Sequence, residues 1–90
     1  FYADWCAACK ELSKITFVDR GFAAEAQRFV LVKIDGTDET EEIERLYEKY
    51  GVRGLPTVLF LDSSGKVRPE LTVTGFLPAG KFTELMRQLE

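Results

Sequence analysis

At 90 residues with 46% hydrophobic side chains, the chain is long enough for one small domain with its own core and too short for two. Its 12 basic and 15 acidic residues leave a net charge of -3 and no basic block that could track a phosphate backbone, which excludes nucleic acid as a partner. The longest apolar runs, 29–32 and 58–61, fall far short of the roughly 20 residues that cross a bilayer, so no direct membrane insertion is expected of this segment.

Phe1-Tyr2-Ala3 reads as the tail of a strand rather than a natural beginning. The chain is therefore expected to be a single domain, 1–90, from a longer parent, and any targeting or spanning segment of that parent would lie upstream. From Cys6 to about Thr16, Ala8, Leu12 and Ile15 fall at helical spacing, which predicts a helix starting at the cysteines. Asp19 is the expected N-cap of a second helix with Phe22, Ala23, Ala26 and Phe29 on one face, the two helices forming one layer. The short, β-branched run Phe29 to Ile34, closed by Asp35-Gly36, reads as a buried strand and a turn.

The clearest helix follows. Asp38 and Glu41 have capping-box spacing, acids fill the first turn, Ile43, Leu46, Tyr47 and Tyr50 form a stripe read as core, and Gly51 is the stop. Thr57 to Leu61 is an apolar strand, Asp62-Ser63-Ser64-Gly65 a hairpin turn, and a return strand is expected from about Glu70 to Thr74, antiparallel to the first. Pro78 suits the first turn of a last helix whose buried stripe is Phe82, Leu85, Met86 and Leu89. The order β-α-(α)-β-α-β-β-α predicts an α/β fold, a mixed central sheet with helices on both faces and its N-terminal strand truncated.

Chemistry concentrates at Trp5-Cys6-Ala7-Ala8-Cys9-Lys10. Two cysteines separated by two residues, at the start of a helix and just after a strand, can close a disulfide across its first turn. Cys6 would face unpaired backbone N–H groups and the positive end of the helix dipole, which stabilises its thiolate and makes it the nucleophile. Cys9, one turn inward and expected to be more buried, is placed to attack a mixed disulfide on Cys6 and release the partner's thiol. Blander readings compete. A zinc site needs four ligands, and the chain has no histidine and two cysteines, so neither a metal nor a cofactor beyond the disulfide is expected. A purely structural disulfide closing about four residues would stabilise by only about 2 kcal/mol, against about 3 for a 15-residue loop. Two unrelated buried thiols are not excluded by the spacing alone.

Context narrows the choice. Phe1 through Lys10 resembles the active-site segment of the thioredoxin superfamily, Gly51-Val52-Arg53-Gly54-Leu55-Pro56-Thr57 resembles the segment carrying its cis-proline, and Val73-Thr74-Gly75-Phe76 resembles its third active-site loop. Tyr2 through Cys6, Cys9-Lys10-Glu11, Thr16-Phe17 with Asp19, and Leu55-Pro56-Thr57 are most similar to the C-terminal domains of the DsbD family of thiol:disulfide interchange proteins. Thioredoxin itself normally carries Gly-Pro where this chain has Ala7-Ala8.

The resemblance implies a thioredoxin fold and a cis Leu55-Pro56 bond, where composition alone predicts trans. It also implies a protein-disulfide reductase passing two electrons from a membrane-embedded donor domain to a periplasmic acceptor through transient mixed disulfides. The setting it implies is the bacterial periplasm, as a soluble domain of an inner-membrane protein, with a link to cytochrome c biogenesis. A free-standing reductant fed by a soluble reductase is the alternative within the class; a peptide-binding module with an inert disulfide is the alternative outside it. Catalysis falls to Cys6 and Cys9, and partner binding to Trp5, Leu55, Pro56, Gly75 and Phe76, with the backbone of Leu55 pairing with the partner and Gly75 letting a backbone approach. Asp4 and Lys10 are the candidates for tuning the thiol pKa. Relatives carry a buried carboxylate six residues before the first cysteine, which falls just before Phe1, and some carry an acid at the place of Ser13.

Overall fold

The structure, a computed structural model, describes residues 1–89. Cys6 caps a short helix α1, Ala7–Glu11, which widens into a π-turn over Leu12–Thr16 with Phe17 N–H donating to Leu12 O at 2.8 Å. The wider turn changes the face. The expected stripe of Ala8, Leu12 and Ile15 becomes Ala8, Leu12 and Thr16: Ile15 is exposed, while Thr16 is 0% exposed and donates to Leu77 O at 2.6 Å. One extra residue per turn carries the i+8 position inward in place of i+7.

Helix α2, Arg20–Ala26, is capped by Asp19, whose carboxylate accepts from Phe22 N–H at 3.1 Å. Phe22 and Ala26 are buried and Phe29 is half-buried beyond the helix, but Ala23 faces solvent, so the buried face is narrower than expected. Helix α3, Glu41–Tyr50, is capped by the Thr40 hydroxyl, which accepts from Ile43 N–H at 3.3 Å, and not by the predicted Asp38. Thr40 is the residue in extended conformation beside the first free N–H groups, and Asp38 lies too far upstream to reach them. Gly51 ends α3 at φ 66°, where a side chain would be strained. Helix α4, Ala79–Gln88, follows Pro78, and Arg28 from beyond α2 donates to Met86 O at 2.9 Å, placing a cation on its C-terminal carbonyls.

The sheet is a set of extended segments joined by single bridges. Tyr2 pairs in parallel with Asp35, with Tyr2 N–H donating to Ile34 O at 3.0 Å and Gly36 N–H to Tyr2 O at 2.7 Å. On its other side Phe1 exchanges hydrogen bonds with Thr57, and Val58 pairs antiparallel with Val73. The 1–3 segment is thus central, between 34–36 and the hairpin. Between the Leu61–Val67 and Val58–Val73 bridges the outgoing strand advances three residues and the return strand six. The surplus is a 3₁₀ turn, Pro69–Leu71, so Glu70 and Leu71 leave the expected strand; Pro69 has no N–H to give a ladder.

The expectation of a buried strand over 29–34 needs correction. Val30 is 92% exposed, and Leu31 and Val32 are also open to solvent. A strand is buried only by what lies beside and over it, and among the described residues the pairing of this run begins at its far end, at Ile34 and Asp35. The main core lies elsewhere. Leu12, Phe22, Ala26, Phe60, Leu71, Val73, Phe82, Met86 and Leu89 form one buried cluster, with α2 packed on α4 over the hairpin. Phe82 is its hub, with ring centroids 5.5 Å from Phe17, 5.6 Å from Phe22 and 5.7 Å from Phe60. Helix α3 lies on the other side, where Tyr47 and Tyr50 pack on Phe1 at 5.9 and 6.0 Å. Its stripe, expected to be core, is half-buried throughout.

Candidate active site

The cysteines sit where the central segment meets α1. Ala3, Cys6 and Cys9 form a second, smaller buried cluster. Cys6 N–H donates to Ala3 O at 3.2 Å, closing a turn whose two middle residues, Asp4 and Trp5, face solvent. The chain then enters α1 with Cys6 as N-cap, and Cys9 N–H points back at Cys6 Sγ at 3.1 Å. The two sulfurs are joined in a disulfide with Cα atoms 5.2 Å apart, within the range such a bond spans. Cys6 and Cys9 are 6% and 5% exposed, so the greater burial expected of Cys9 is not seen in the oxidised state. What distinguishes them is that backbone donor aimed at Cys6.

Leu55 packs against the same cluster, and the Leu55-Pro56 bond is cis, as the resemblance implied. Pro56 is buried, and Thr57 ties the bend down by donating its hydroxyl to Gly54 O at 2.7 Å. A shallow groove continues away from Leu55 along Arg53, Leu59, Val67 and Thr72. Trp5, beside Cys6 in the chain, is 63% exposed, and its indole N–H donates to Thr37 O at 3.3 Å.

The remaining candidates are not drawn into this cluster. Phe76 is exposed and Gly75 half-buried, and a Cβ on Gly75 would meet open space. Asp4 and Lys10 are exposed, and neither side chain is hydrogen-bonded to a sulfur among the described residues. Ser13 is exposed as well. No group of three or more His, Cys, Asp or Glu side chains comes together among the described residues in a way that could hold a metal ion.

Sequence reasoning missed one part of the site. Asp35-Gly36 reads from the sequence only as a turn closing a strand, and Thr37 carries no signal of its own, yet Asp35 Oδ1 accepts from Thr37 N–H at 2.9 Å and from its hydroxyl at 2.5 Å, and Thr37 Oγ1 accepts from Asp4 N–H at 2.9 Å. The Thr37 hydroxyl, followed by its backbone N–H, holds the Asp35 carboxyl below its ordinary pKa. Parallel pairing was the available signal: segments that run the same way end at the same sheet edge, so the loop after residue 35 had to lie beside the loop leading to Cys6.

A family model described as a thioredoxin-like domain matches residues 1–90. The chain belongs to this family. Among curated relatives, this thioredoxin-like chain is 44% identical over 89 residues to the thiol:disulfide interchange protein DsbD of Photorhabdus laumondii and 46% identical over 81 residues to that of Pectobacterium atrosepticum. These alignments cover 99% and 90% of the chain but only 16% and 14% of the relatives. The chain thus spans about a sixth of their length. Among solved structures, the C-terminal domain of Neisseria meningitidis DsbD superposes with a TM-score of 0.89 in its reduced form and 0.87 in its oxidised form, at 32% and 35% identity. In both cases all of this chain and 76% of that domain are covered. The thioredoxin fold and the likeness to DsbD C-terminal domains therefore stand on whole-chain agreement. No described helix is long and apolar enough to cross a membrane.

Proposed function

We propose that the chain is a thiol–disulfide oxidoreductase domain of a longer protein, passing two electrons by dithiol–disulfide exchange from a membrane-embedded donor domain to an acceptor disulfide in the periplasm. In the reduced state the Cys6 thiolate attacks one sulfur of the acceptor disulfide, forming a mixed disulfide and releasing the acceptor's other sulfur as a thiolate that takes up a proton. The Cys9 thiol loses its proton and attacks Cys6 Sγ. The Cys6–Cys9 disulfide forms, the second acceptor thiol departs, and the acceptor has gained two electrons and two protons. The donor domain resets the cycle by the reverse exchange.

The observation that carries this reading is the backbone N–H of Cys9 aimed at Cys6 Sγ from the first turn of a helix, with Leu55 of the cis bend packed alongside. A donor at that point stabilises a thiolate and so favours Cys6 over Cys9 as nucleophile. Leu55 and Pro56, the groove beyond them, Trp5 and Phe76 supply the docking face, and Gly75 leaves room for a partner backbone. Asp4 and Lys10 act on the thiol only through charge at a distance. The names of the DsbD relatives support the class of reaction, and their greater length supports a donor lying outside this chain.

One observation favours the inert alternative, a peptide-binding module with a structural disulfide: both sulfurs are buried. Native redox titration separates the two. Equilibrated with dithiothreitol in the absence of denaturant and quenched by alkylation, the folded chain is expected to give up both thiols together. A disulfide that resists until urea unfolds the chain would reject the exchange reading.

A further inference from the structure

Asp4 and Trp5 are the middle of a turn, both exposed, and a turn tip of this kind is mobile unless something outside it holds it. Here Thr37 holds both residues. Its hydroxyl accepts from Asp4 N–H at 2.9 Å and its carbonyl accepts from the Trp5 indole N–H at 3.3 Å. The direction of each bond is fixed by chemistry. Asp35 carboxylate can only accept, so the Thr37 hydroxyl proton is committed to Asp35 Oδ1, and a lone pair is left facing Asp4 N–H. Thr37 N–H, also bonded to Asp35 Oδ1 at 2.9 Å, keeps the loop from turning away. The loop is anchored in turn by Gly36, whose N–H donates to Tyr2 O at 2.7 Å in the segment that leads into the turn.

We propose that Thr37, oriented by Asp35, is a positioning residue that clamps the Asp4–Trp5 turn so that the Trp5 ring meets an incoming protein disulfide as a rigid contact face beside Cys6. A ring already held in place loses less freedom on docking, so the clamp acts on recognition of a protein partner and not on the sulfur chemistry. This rests on the reading that Cys6 exchanges with protein disulfides.

Trp5 is the one tryptophan of the sequence, so its fluorescence reports on the clamp without reference to exchange. Reduced wild type, Thr37→Val and Thr37→Ser are compared by time-resolved anisotropy of Trp5 and by second-order rates with two probes, insulin and the small disulfide dithiodipyridine. Valine keeps the shape and the carbonyl but removes the hydroxyl. Thr37→Val is expected to lower the residual anisotropy and to slow insulin reduction about fivefold, the worth of about one hydrogen bond, with the dithiodipyridine rate within about twofold of wild type. Serine restores both readouts. Unchanged anisotropy, an unchanged insulin rate, equal loss on both probes, or failure of serine to rescue would each overturn the proposal. Should Thr37→Val not fold, Asp35→Ala, which removes the acceptor of both Thr37 bonds from an exposed position, gives the same test with smaller amplitude, and wild-type behaviour there overturns the clamp. If wild type reduces neither probe, the exchange reading is what fails, and the anisotropy comparison still decides the clamp.

Discussion

Helices α3 and α4 are both ten residues long, both carry an apolar stripe at helical spacing, and they end up in different environments. Phe82, Met86 and Leu89 on or just after α4 are buried in the main cluster, while no residue of α3 is fully buried although its stripe and caps are the better formed. The difference lies in what stands opposite. Helix α4 meets α2 and the wide hairpin face of Phe60, Leu71 and Val73, whereas α3 meets Phe1 and the narrow edge around Gly36. An amphipathic pattern specifies that a helix has an inner face; the depth of its burial belongs to the neighbour.

Substitutions should expose this asymmetry. Phe82→Ala removes the hub of the aromatic cluster and is expected to cost about 3–5 kcal/mol in urea unfolding, whereas Leu46→Ala in the α3 stripe should cost about 1 kcal/mol. Equal costs would mean that α3 is packed as tightly as α4. At the edge under α3, a Cβ on Gly36 would collide with Tyr47 Oη, so Gly36→Ala should destabilise by about 1–3 kcal/mol. Among the described residues Tyr47 Oη is buried without a hydrogen-bond partner, and that burial, with Glu39 and Asp35 nearby, pushes its phenol pKa up. Tyr47→Phe alone is therefore expected to be neutral or to stabilise by up to about 1 kcal/mol, and added to Gly36→Ala it should recover much of the loss. A double variant no better than Gly36→Ala would place the strain in the backbone.

The smallest effect concerns acid. The hairpin turn is held by Asp62 Oδ1, which accepts from Ser64 Oγ at 2.6 Å, Ser64 N–H at 2.9 Å and Lys66 N–H at 3.1 Å, and these bonds keep its carboxyl below the usual range, the Ser64 hydroxyl first. A carboxyl with a depressed folded pKa contributes stability that is present above its unfolded value, near pH 4, and is lost as pH falls through the lower folded value. Asp62→Asn should therefore show a shallower fall in urea midpoint between pH 5 and pH 2 than wild type. Parallel acid profiles would show that the turn does not depend on the charge.

How much of this was legible in the sequence follows the same divide. Features decided within a few residues were readable: Asp19 as a cap, Gly51 as a stop, the turn at Asp62, and the cysteine pair at a helix start. Features decided by distant partners were not. Ile15 gave way to Thr16 because a π-turn fits Thr16 to the carbonyl of Leu77, sixty-one residues away. Val30 to Val32 look like a buried strand by composition, but composition cannot supply the neighbour that would bury them. At the candidate site, Cys6, Cys9 and the cis bend at Pro56 are legible through the motifs, while Thr37 is not, because its importance lies in bonds to residues over thirty positions earlier.

In the proposed exchange Cys6 attacks and Cys9 releases. Cys9→Ser and Cys6→Ser, each reduced and then mixed with a disulfide-bonded peptide, are analysed by intact mass without reductant. A persistent adduct on Cys6 in Cys9→Ser, and none on Cys9 in Cys6→Ser, is the expected result. Equal adducts in both variants, or an adduct on Cys9 alone, would contradict it.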